Sequence, residues 1–172
     1  MHMPPSDLKD VDVATAAAFY VLGRMSVETP VRLAGRRLTE GTYKPAAADL
    51  SFLSMQPSYS MTDVGPLFEQ ILRELGISLP TLIDAKRTVV RHRLELMVAG
   101  PLAPFEGLSL LYGEVDLPNP EPGDPLGLDA LHVQWHLYCE ICFPELKEPA
   151  GRRARDAETI ALAKRWLAEH AA

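Results

Sequence analysis

The chain has 172 residues, 47% of them hydrophobic and 23% charged, which suits a single folded domain and excludes global disorder. A net charge of -6 counts against nucleic-acid binding, which needs a concentrated basic surface. No apolar run approaches the roughly 18 residues of a membrane span, and no signal segment opens the sequence, so a cytoplasmic protein is expected.

Residues 1–6 are expected to be flexible, and Met1 and His2 are left out of all reasoning about sites. After Pro4-Pro5, Ser6 or Asp7 can cap an amphipathic helix over Leu8 to Met25, with Leu8, Val11, Thr15, Ala18, Leu22 and Met25 at three- and four-residue steps. Thr29 to Tyr43, broken at Ala34-Gly35, reads as a short hairpin carrying Arg32, Arg36 and Arg37 on a solvated edge. Lys44 to Ser60 reads as loop. The clearest helix is Asp63 to Leu75, where Val64, Leu67, Phe68, Ile71, Leu72 and Leu75 form one stripe and Gly76 can close the end. A further helical turn is expected between Ser78 and Ala85.

From Arg87 the period moves towards two: Val90, His92, Leu94, Leu96 and Val98 on one side, Val89, Arg91, Arg93, Glu95 and Met97 on the other. That predicts a strand ending at Gly100-Pro101, with another over Gly107 to Val115. Residues 117–130 hold Pro118, Pro120, Pro122 and Pro125 among acidic residues and read as an exposed loop, because proline cannot join a sheet interior. Leu131 to Phe143 then alternates without a break. At about 3.3 Å per residue it would span about 43 Å, so a bend or bulge is expected inside it. The last helix is expected from an Asp156 cap, with Ile160, Ala163, Trp166 and Leu167 on one face.

These elements predict one α+β domain over 1–172, a mostly antiparallel sheet with amphipathic helices packed on one face. On the central strand Trp135, Leu137 and Ile141 face the core. The polar stripe His132, Gln134, His136, Tyr138 and Glu140 faces outward, joined by Arg91 and Arg93 of the neighbouring strand, with Arg93 able to pair with Glu140.

Three chemistries compete for that stripe. His132-x3-His136-x2-Cys139-x2-Cys142 contains the ligand types that zinc prefers. On a helix His132, His136 and Cys139 would share a face; on a strand the two histidines stand about 13 Å apart and Cys139 points the other way, so the strand reading counts against a single-ion site. Cys142 could act as a nucleophile beside an imidazole, but nothing else supports that, and Cys139 reads as a small core residue. The third use is recognition. Phosphate-binding glycine loops and nucleophile elbows are lacking. The function expected is a non-enzymatic cytoplasmic protein-binding factor, of adaptor, chaperone-like or inhibitor type. It takes no cofactor, and its partner is another protein or a second copy, with neither nucleic acid nor membrane. The alternative is a small-molecule or metal-dependent enzyme using the His132 and His136 face.

Overall fold

A computed structural model describes residues 11–39, 41, 45–53, 55–56, 58–116, 125–138 and 143–171. Among them the fold is all-helical, with no strand. The helices are α1 (Val13–Val21), α2 (Glu28–Thr39), α3 (Pro45–Leu53), α4 (Met61–Glu74), α5 (Leu82–Ala99), α6 (Pro104–Glu114), α7 (Asp129–Leu137) and α8 (Pro149–Glu169), with a 3₁₀ turn at Pro144–Lys147. The expected α+β architecture and its antiparallel sheet are therefore overturned. Contacts divide the chain into two compact units, Met1–Ala85 and Lys86–Ala172, the boundary falling in the first turn of α5.

In the first unit α1 is shorter than expected. Its cap is Asp12, whose carboxylate accepts from the Thr15 amide at 2.8 Å and the Thr15 hydroxyl at 3.1 Å. The expected hairpin is α2. Pro30 sits in its first turn, where a missing N–H costs nothing, and Thr29, Pro30, Leu33 and Ala34 are buried. The expected loop contains α3, in which Pro45 opens a run of three alanines, and Ala46, Ala47 and Leu50 are buried. These pack with Ala34, Val64 and Ile71 into one core, around which Val31, Leu38, Leu53 and Leu67 close.

α4 lies where its stripe places it, beginning two residues earlier, so Pro66 falls in the second turn. Ser60 donates its backbone N–H to the Asp63 carboxylate at 2.8 Å, and the Ser60 hydroxyl does so at the same distance. These bonds hold the Asp63 carboxyl below its ordinary value. At the other end Gly76 has φ +69°, the Ile77 amide bonds the Leu72 carbonyl and the Gly76 amide bonds the Arg73 carbonyl, which is a Schellman closure. Tyr20 of α1 packs edge-on against Phe68 of α4 and donates to Glu69 at 2.6 Å. That hydrogen bond, then burial and the Glu69 charge, push its phenol up to about 12. A raised phenol value favours the protonated form in the fold. Tyr20 thus adds stability fully present below the ordinary tyrosine range and lost as pH rises towards 12. Spectrophotometric titration should show one phenol ionising near 12 that disappears in Tyr20→Phe and moves back towards the ordinary range in Glu69→Gln.

In the second unit the predicted strand from Arg87 is α5. Val89, Val90, Arg93, Leu94 and Met97 are buried, a pattern of three- and four-residue steps rather than two. Gly107 to Val115 lies within α6 and its cap, with Leu108, Leu111 and Val115 buried. Pro104 stands in the first turn of α6, and a Cβ on Gly107 would run into the Met97 side chain, so this glycine lets α6 approach α5. Leu131 to Leu137 belongs to α7. The burial of Leu128, Leu131 and Tyr138 marks its inner side, while Trp135 and Leu137, expected in the core, are only half-buried, Val133 is 56% exposed, and Ile141 lies outside the described residues. The expected strand, with the bend or bulge inside it, is replaced by helix as far as Leu137, and residues 139–142 lie outside the described residues.

α8 begins at Pro149, so Asp156 is interior rather than a cap. Thr159, Ala163 and Trp166 are buried, and Trp166 donates its indole N–H to the Leu126 carbonyl at 2.7 Å. Gly151 lies in the first turn of α8, where a Cβ would collide with the Glu145 backbone carbonyl of the 3₁₀ turn. Helix propensity alone makes Gly to Ala favourable by about 1 kcal/mol, whereas overpacking against backbone costs about 1–3 kcal/mol. Gly151→Ala should therefore lower the stability measured by denaturant titration, and a gain would show that α8 and the turn are not packed this tightly.

Candidate functional site

Two polar anchors fix the frame of the second unit. Arg93 on α5 is 0% exposed, and its Nε and Nη2 donate to the two Glu114 carboxylate oxygens of α6 at 2.8 and 2.5 Å. This bidentate pairing is geometrically specific and fixes α6 in register on α5. Arg93 is thus no part of an outward stripe, and Glu140, its expected partner, lies outside the described residues. The second anchor is Tyr138 at the end of α7, which was expected to face solvent and is 4% exposed. Its hydroxyl donates to Asp156 Oδ1 at 2.8 Å and lies 3.1 Å from the Thr159 hydroxyl, which donates to the Arg155 carbonyl at 3.0 Å. Burial pushes the Tyr138 phenol up, the Thr159 hydroxyl and Arg152 oppose this, and the Asp156 carboxylate adds to it, so the phenol stays protonated as the donor.

The remaining expected site residues scatter. Arg91 is half-buried and donates to the His170 backbone carbonyl. Gln134 is half-buried, with its side-chain oxygen 3.5 Å from Arg155 Nη1, while Arg155 also bonds Glu158 at 2.8 Å. His132 and His136 do come together. One helical turn apart, the first half-buried and the second exposed, they place their Nε2 atoms 2.9 Å from each other with ring centroids 4.8 Å apart. In the neutral pair one Nε2 donates and the other accepts. Trp135 meets the His136 ring edge-on at 5.0 Å and so sets its orientation from one side.

Around these lies a seam of rings that the strand reading could not assemble. Phe105 and Tyr112 are seven residues apart on α6 and so share a face. Phe105 packs on Tyr138 with centroids 5.2 Å apart, and Tyr112 stacks on Trp135 at 4.3 Å. The Arg152 guanidinium lies 5.3 Å from the Tyr138 ring centre and 5.4 Å from that of Phe105, within cation–π range. The seam is only partly covered, since Phe105 is 39% and Tyr112 36% exposed. The buried Trp135 Nε1 has no hydrogen-bond partner among the described residues. Phe105, Tyr112, Arg152, Asp156 and Thr159 were not expected as site residues from sequence, Asp156 being expected only as a helix cap. The seven-residue spacing of Phe105 and Tyr112 was the available signal, and it is visible only if α6 is read as a helix.

The same residues carry limited chemistry of their own. Among those described, no group of three or more His, Cys, Asp or Glu converges as a metal site. Cys139 and Cys142 lie outside the described residues. The sequence His132-Val133-Gln134-Trp135-His136 has the histidine spacing of helical zinc peptidases, but valine stands where they carry the glutamate base. No described helix is long and apolar enough to cross a membrane. Comparison with protein-family profiles, with curated proteins and with solved structures finds no match.

The Tyr138 network can be tested directly. Tyr138→Phe keeps the ring contacts with Phe105 and Arg152 but strips the Asp156 carboxylate of its donor. It should lower stability by about 1–3 kcal/mol in denaturant titration. A neutral outcome would place the hydroxyl in water rather than between α7 and α8.

Proposed function

We propose that the chain is a non-enzymatic binding protein of the cytoplasm that docks another protein on the α6–α7 seam. The carrying observation is the partly exposed row Phe105, Tyr112 and Trp135 beside the Arg152 guanidinium. Tyr, Trp and Arg are the residues in which binding energy concentrates, because large amphipathic rings lose little conformational freedom and exclude water around polar contacts. Here the rings are already fixed against one another by stacking, so little further ordering opposes association. The partner supplies apolar side chains that complete the cover over Phe105 and Tyr112.

Arg93 and Tyr138 cannot probe this surface, since both are buried and their replacement would perturb the fold. The suitable position is Tyr112, which is exposed and stacks on Trp135 in the seam. Capture from the native cytoplasm, at a temperature where circular dichroism shows each chain folded, should recover a partner with wild type and with Tyr112→Phe and lose it with Tyr112→Ala. Recovery of the same proteins by wild type and Tyr112→Ala would refute the seam as the docking surface. The second reading, a small-molecule or metal-dependent enzyme at His132 and His136, draws on the contact between their ring nitrogens. A metabolite that shifts the melting temperature while no partner is captured would favour it.

A further inference from the structure

We infer that His132 and His136 form a bidentate chelate for a single borderline divalent transition ion of the zinc class, on the outward side of α7. A strand would separate the two rings by about 13 Å. On the helix they lie one above the other with Nε2 atoms 2.9 Å apart. Two nitrogens each about 2.05 Å from one ion are about 2.9 Å apart at a right angle and about 3.3 Å apart at the tetrahedral angle. The pair therefore sits at chelating separation already, and a few tenths of an ångström cover the range between the two geometries.

The chemistry of the exchange is simple. In the free protein one Nε2–H donates to the lone pair of the other Nε2. Chelation needs both lone pairs, so the donor ring moves its proton to Nδ1 through solvent. One N–H···N bond is then replaced by two metal–nitrogen bonds, and no net proton is released. Imidazole nitrogen selects zinc, copper(II) or nickel(II) over magnesium and calcium, which prefer oxygen. The edge of Trp135 against His136 limits the freedom of that ring, and the half-burial of His132 limits the other. Less ordering therefore remains to be done on binding. With two protein ligands the ion keeps its other positions for water or for a ligand from outside the chain, as a catalytic or bridging site does and a closed structural site does not. The inference does not depend on the docking reading, since it rests on the separation of two ring nitrogens and not on the exposure of the rings of α6.

The test uses Zn2+ itself, with the metal-free full chain in a Cys139→Ser/Cys142→Ser background so that thiolate binding is excluded. Equilibrium dialysis should give one equivalent of zinc and none of Mg2+. His132→Gln and His136→Gln should each weaken uptake by at least about tenfold, the scale on which even outer ligands act. Circular dichroism checks that each variant remains helical. In the wild-type chain, zinc should shift the Nε2 resonances of His132 and His136 together in long-range nitrogen correlation spectra, an observation that does not rely on any variant folding. Uptake unchanged by either histidine substitution, or ring nitrogens that stay in place on zinc addition, would overturn the inference.

Discussion

The second unit depends on the bond between Arg93 and Glu114. A charge pair with the arginine wholly out of water is not in itself a strong stabiliser, because removing both ions from solvent cancels most of their attraction. Its effect is geometric. With Nε and Nη2 of the guanidinium engaged by both carboxylate oxygens, α6 has little freedom to rotate or slide on α5, and a one-residue shift would leave a buried ion alone at a cost of about 3–5 kcal/mol. Met97 seated against Gly107 reinforces the same register. Fixing α6 in rotation decides that Phe105 and Tyr112 stand beside α7 instead of facing water separately.

Seen this way, the rings are a packing device first. Tyr112 on Trp135 and Phe105 on Tyr138 are contacts between helices, and the hydroxyl of Tyr138 ties the same seam to α8 through Asp156. The exposure that suits Phe105 and Tyr112 for binding is what is left over after this packing. Polar groups at the seam are divided between the two roles. The Tyr138 hydroxyl has protein partners, while the Trp135 indole N–H does not among the described residues.

How much of this could be read from residues alone varied by element, for physical reasons. α4 was legible because three independent signals coincide there: an apolar stripe at helical spacing, a serine and aspartate at the start, and a glycine in the left-handed region at the end. α2 hides behind Pro30 and Ala34-Gly35, which also read as breaks although Pro30 stands in a first turn, where proline suits a helix, and α3 has little periodic pattern beyond its alanines and Leu50. Leu131 to Phe143 misled most. When nearly every second residue is apolar, the same letters also satisfy a helix, because Leu128, Leu131 and Tyr138 fall on one side at steps of three and seven. Tyrosine was assigned to the polar set, so the residue that reveals the helical face was counted against it. The site suffered accordingly: the nearness of His132 and His136 follows from the helix, but the depth of Arg93 depends on Glu114, 21 residues away, which no local pattern announces.

α7 has only nine residues, fewer than the roughly 12–15 at which a helix alone in water becomes even marginally stable. Its first residue is preceded by Leu128, which offers no side-chain cap, so little within the segment itself favours the helical form. Its helicity is lent by neighbours, through Trp135 against Tyr112 and Tyr138 against Phe105 and Asp156. Local melting of α7 and loss of its outer face are then one equilibrium, and any occupant of that face draws part of its affinity from the order it completes.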